Sequence, residues 1–140
     1  MNAKDVPAGY NLCVNENCPL ASHCLRQMAM RVVSKRERLL TIVNPLRTKP
    51  SENCEFFRSD EPLAYARGFL GMQKQMLPGQ YERFSSQLRN RFGRNEFYKR
   101  RRGERLCSPK DIAFIRKVLA DMHLSHLDFD EFETHYNWTD

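Results

Sequence analysis

No run of apolar residues in this 140-residue chain approaches the roughly 20 needed to cross a bilayer. The opening stretch, MNAKDVPAGYNLC, also lacks the apolar core of a secretory signal. Both absences point to a cytoplasmic protein with no membrane partner, in a reducing compartment that disfavours structural disulfides. There is no internal repeat and no low-complexity tract. Nor does a phosphate-cradling glycine loop, a Ser/His/Asp arrangement or a pair of carboxylates in a clear pocket stand out, so the chain reads as non-enzymatic. The C-x3-C-x2-C of radical enzymes is missing as well.

What is there suits a globular core: 41% hydrophobic and 11% aromatic residues. A chain of this length is expected to form one domain, or one domain carrying a small cysteine-rich appendix. Three of its five cysteines crowd into CVNENCPLASHC, residues 13–24, and a fourth follows at Cys54. With disulfides disfavoured, Cys13, Cys18, Cys24 and Cys54 become candidate metal ligands, because four soft thiolates close a tetrahedral zinc site or hold a [4Fe-4S] cluster. The C-x4-C spacing fits zinc at its edge and the C-x5-C falls outside it, whereas iron–sulfur proteins tolerate more varied spacing. Zinc is the first reading, a cluster the second, and cysteines packed as small hydrophobes the third. The loop offers little apolar surface to offset the entropy of ordering it, and a structural zinc contributes about 10–16 kcal/mol.

Cys107 is a lone thiol without a local activator and is expected to pack rather than react. His23 is a spare ligand at most. His123, His126 and His135, with Asp128 and Asp130, form a weaker candidate for a second site.

Periodicity places a helix from about Leu20 to Val32, followed by a short strand at LLTIVNP. The second half reads as entirely helical. Pro62 opens a helix whose apolar face is Leu63, Ala66, Phe69, Leu70, Met76 and Leu77, stopped by Pro78-Gly79. Tyr81, Phe84, Leu88 and Phe92 form the next stripe, ending at Gly93. A short helix spans about Asn95 to Arg102, with Gly103 past its end. Ser108, Pro109 and Asp111 form the start signal of another, and Asp128 with Glu131 suggest a last one. The expected architecture is mainly α: a cysteine-rich metal-binding module with a short strand or hairpin over residues 1–58, packed on a helical bundle over 59–140.

Charge is uneven. Nine Lys/Arg residues fall between Arg83 and Arg105 against Glu96 and Glu104 alone, within a chain of net charge +6. Helix, glycine turn and basic helix outline a helix-turn-helix. Arg94, Lys99, Arg100, Arg101, Arg102 and Arg105 are therefore candidate contacts to DNA or RNA. An acidic protein partner would suit the same cations, and a solvated face would look alike.

YNLCVNENCPLASHCLR, TIVNP, CEFFR, FGRNEFYKRRRGE, LCSPKDIAFIRKVL and FDEFETHYNW together resemble a domain-of-unknown-function family of short proteins from gut Bacteroidales. The resemblance runs from Tyr10 to Trp138. It implies a cytoplasmic bacterial protein and carries no catalytic residue. The expectation from sequence is a metal-stabilised regulatory protein that binds nucleic acid or a nucleic-acid-associated partner. An iron–sulfur redox or iron sensor and a protein–protein adaptor are the alternatives.

Overall fold

The computed structural model describes residues 1–139. It divides into two compact units. The first comprises Met1–Pro62 with the segment from Tyr136 onward, and the second Leu63–His135.

In the first unit the only α-helix among the described residues is α1, Leu25–Val33. A single 3-10 turn, Ala21–His23, leads into it, and Cys24 takes the N-cap position with extended backbone. The helix expected from Leu20 thus begins later, because Cys24 breaks the helical path. Its backbone is instead strapped to the 54–60 segment: Leu25 N–H donates to the Arg58 carbonyl at 2.7 Å, and Asp60 N–H to that of His23 at 3.0 Å. The expected strand at LLTIVNP reduces to one bridge between Leu12 and Ile42. Leu39 is 91% exposed, so the apolar run that suggested a strand is only partly buried, chiefly through Val43. The C-terminal tail closes on the same unit, with Trp138 edge-on to Tyr10 at 4.9 Å.

The second unit holds four α-helices and a two-stranded antiparallel sheet. They are β1 (Leu63–Arg67), α2 (Leu70–Lys74), α3 (Pro78–Phe92), α4 (Arg94–Arg102), α5 (Pro109–Asp121) and β2 (Glu131–His135). Phe69 sits at the middle of its core, with ring centroids 5.9 Å from Phe84 and Phe97 and 6.3 Å from Phe129. The start signal of α5 is as expected: Ser108 Oγ accepts from Asp111 N–H, and Asp111 Oδ2 accepts from Ser108 N–H.

Three expected features of this half are corrected. The helix from Pro62 is a strand and a short helix, joined at Gly68 and Phe69. Gly68 has φ +79°, and a Cβ there would lie 2.9 Å from Asp130 Oδ2. That close approach lets Asp130 accept from the N–H groups of both Leu70 and Gly71 at 2.9 Å. Leu63, Leu70 and Leu77, taken as one buried stripe, are 36%, 41% and 69% exposed. Second, Pro78 starts a helix rather than ending one, since its missing N–H costs nothing at a helix N-terminus. Third, the expected last helix is β2, paired with β1 in the register Leu63↔His135 to Arg67↔Glu131. Arg67 grips Glu133 through two bonds of 2.9 and 3.0 Å, a cross-strand contact that a helix would forfeit.

Candidate functional site

Cys13, Cys18, Cys24 and Cys54 all line one small cavity of the first unit, of about 20 Å³. They arrive from three separate stretches: the loop before α1, the N-cap of α1, and the turn at Cys54. All four are free thiols, with Cys24 buried and the others half-buried. Among the described residues, no three His, Cys, Asp or Glu side chains are already drawn together tightly enough to hold a metal ion. The cysteines share a cavity without forming a coordination set.

Arg26 organises the walls, and sequence reasoning missed it. It is only 8% exposed. Its Nε donates to the Phe56 carbonyl at 2.6 Å and its Nη1 to the Asn11 carbonyl at 2.8 Å. Those carbonyls lie two residues after Cys54 and two before Cys13, so one guanidinium ties both cysteine-bearing loops to the helix that carries Cys24. Its planar fork suits this task, since two donors point apart at a fixed angle. The same group stacks over Tyr10 at 5.0 Å. A further strap joins Asn15 Nδ2 to the Thr48 carbonyl at 3.1 Å, and both residues line the cavity.

The electrostatics of this region are unusual. Among the described residues, Arg26 has no carboxylate partner, although buried charges are normally paired. Three buried donors also lack acceptors: Tyr10 OH, Gln27 Nε2 and Arg58 Nε. Burial pushes the Tyr10 hydroxyl above its ordinary acidity range, with Arg26 opposing and Cys24 reinforcing the shift. Of these groups, Arg26 and the orphaned amide of Gln27 belong to residues lining the cysteine cavity, a buried cation and a free donor suited to negative charge. The available signal in the sequence was the polar pair in CLRQ: Arg26 and Gln27 follow Cys24 and Leu25, and all four are buried.

The remaining candidate ligands do not join this set. His23 is turned to Asp60, 3.5 Å away, with its side chain 75% exposed. Asp130 caps α2, His135 meets Glu133 at 3.0 Å and Asp128 meets Arg116 at 3.6 Å, so the weaker second site is dispersed among other partners. Cys107 is fully buried in the second unit, and burial raises its thiol to about 12, which leaves it without nucleophilic thiolate near neutral pH.

The basic segment folds as two helices joined through Gly93 alone, at φ +83°. The DNA-reading helix-turn-helix uses a turn of about 3–4 residues, and this junction is shorter. Most of its cations have partners. Arg100 bonds Glu96 at 2.7 Å and Asp111 at 3.2 Å and stacks on Phe92 at 4.5 Å. Arg101 donates to Tyr81 OH at 2.6 Å and Gln73 Oε1 at 3.2 Å. Arg102 pairs with Glu104, while Arg105 and Lys99 both approach Glu96. Of the six predicted contacts, only Arg94 has no ion-pair or hydrogen-bond partner among the described residues. Arg83 and Arg89, outside that set, line an open groove of about 440 Å³ on α3.

No helix of the described residues is long and apolar enough to cross a membrane. No curated protein and no solved structure matches the chain. The model of one family, described as a family of unknown function (DUF6078), matches residues 1–138, and the chain belongs to that family.

Proposed function

We propose that this is a metal-binding protein whose first unit is held by one zinc ion on Cys13, Cys18, Cys24 and Cys54. The observation that carries this reading is the convergence of Cys54 with the clustered Cys13, Cys18 and Cys24 on one cavity. The cavity of about 20 Å³ has room for one atom-sized occupant between the thiols as they stand. The donor set fits: four thiolates on a divalent ion carry a net double negative charge, beside the Arg26 cation, which has no carboxylate partner among the described residues, and the orphaned amide of Gln27. Four protein ligands leave no open coordination position, so the role is structural and not catalytic. Binding requires the thiols to lose their protons and to stay unoxidised, so the reading goes with a reducing compartment.

The test is elemental analysis of the reduced protein, with Cys24→Ser beside it. One zinc per chain is expected in the wild type, and loss of metal with a loosened first unit in the variant. Stoichiometric iron with visible colour would replace the zinc reading by the cluster reading. Full metal and an unchanged melting curve in Cys24→Ser would remove the four-cysteine assignment.

A second reading, contact with nucleic acid in a regulatory role, rests on the unpartnered cations Arg83, Arg89 and Arg94. Three phosphate contacts correspond to a log K against log salt slope of about −2.7, at −0.9 per contact. A pull-down that survives nuclease would assign the same cations to an acidic protein partner instead.

A further inference from the structure

Gln27 occupies the first turn of α1, three residues beyond Cys24. Its backbone N–H donates to the Cys24 carbonyl at 3.1 Å, which fixes its place relative to that cysteine. The residue is 4% exposed and is one of those that line the four-cysteine cavity. Its Nε2 finds no acceptor among the described residues. Native proteins satisfy the large majority of buried polar atoms, so such an orphan calls for a cause. A neutral thiol is a weak acceptor, whereas a thiolate is a charged and much better one.

We propose that the Gln27 side-chain amide is a positioning donor to a thiolate of the four-cysteine centre. It thereby favours the metal-bound arrangement of the cysteines over the metal-free one. The inference rests on the metal-centre reading above and adds a residue that is not itself a ligand. The amide makes no hydrogen bond to any thiol in the metal-free arrangement, and gains its partner when the cysteines close on the metal. Removing it should therefore act with opposite sign on the two states. The metal-free protein loses a buried, unsatisfied group, and the loaded protein loses a hydrogen bond to a ligand.

The test uses the full chain, zinc competition with a chromophoric chelator, and cobalt(II) as a spectroscopic probe. Gln27→Met keeps the length and straight shape of the side chain and removes the donor. The expected result is a metal-free protein at least as stable as wild type, with zinc affinity lower by about 10–100-fold, the usual effect of losing an outer-sphere partner. The sulfur-to-cobalt charge-transfer band should move to lower energy, since a thiolate without its hydrogen bond gives up charge more easily. Gln27→Glu is the second variant: it keeps shape, replaces the donor with an acceptor, and should bind zinc more weakly than Gln27→Met. If the wild type loads one ion and both variants bind equally tightly with an unmoved band, the Gln27 inference is overturned and the metal centre stands. If the fully reduced wild type takes up neither zinc nor cobalt, the metal centre itself is overturned and Gln27 with it.

Discussion

Replacing Arg26 by lysine tests the architecture of the cysteine cavity without touching a cysteine. Arg26 makes two charge-assisted hydrogen bonds, to the carbonyls of Phe56 and Asn11, and lays its guanidinium over Tyr10. Hydrogen bonds to charged groups contribute about 1.5–3 kcal/mol each. Neither carbonyl has another donor among the described residues, so a lost bond leaves an acceptor unmatched. Lysine keeps the charge and most of the stem but concentrates its donors at one point, and cannot span two carbonyls fixed by a fork. One bond is lost, and the expected destabilisation is about 1.5–3 kcal/mol. The assay is guanidinium unfolding of the metal-free protein followed through Trp138, the only tryptophan. It reports directly on this unit because its ring meets that of Tyr10, under which Arg26 lies. Zinc affinity of the same variant should fall, because the loops bearing Cys13 and Cys54 lose their common anchor. A change below about 0.5 kcal/mol, the size of an ordinary surface substitution, would refute the clamp.

Other outcomes are as definite. Gly68→Ala should destabilise the second unit by about 2–3 kcal/mol in thermal or denaturant melts, through a strained positive φ and a Cβ pressed on Asp130. Glu133 is held down to about 2 from its ordinary 4.5, first by its bonds from Arg67 and then by His135. A carboxylate lowered in the folded state contributes stability that is present above about pH 4.5 and lost as pH falls through about 2. Glu133→Gln should flatten the stability profile in that window and leave its shape above it unchanged. Arg94→Ala combined with Arg83→Ala should reduce the salt slope of nucleic-acid binding by about 1.8, at 0.9 for each contact removed. A double variant with an unaltered slope would take those arginines out of the interface.

The start signal of α5 was legible because it is local: a cap, a proline and an acid at fixed offsets decide it within four residues. The same holds for the glycine stops at Gly93 and Gly103, where both residues adopt positive φ. The segments that misled were those whose neighbours are distant in sequence. Apolar spacing from Leu63 to Leu77 suits a helix, but pairing with residues some seventy positions away makes its first part a strand. The alternation in DEFETH was present to be read as β, and the capping pattern at Asp128 and Glu131 outweighed it.

The cysteine site divides along the same line. Residue type and spacing in CVNENCPLASHC, with Cys54 beyond it, singled out from sequence alone the four thiols that line one cavity, since a cysteine's capacity to act as a soft ligand is a property of the residue. Which side chains surround them did not follow from spacing. Arg26 and Gln27 stand out only once backbone carbonyls and cavity walls from three stretches are brought together. The basic segment is the converse case: composition established its charge, and the tertiary structure decided that most of its cations are engaged, by Glu96, Asp111 and Glu104 as ion pairs and by Tyr81 and Gln73 as neutral hydrogen-bond acceptors. Charge and ligand chemistry belong to residues one at a time, whereas neutralisation, clamping and burial belong to neighbours that only folding supplies.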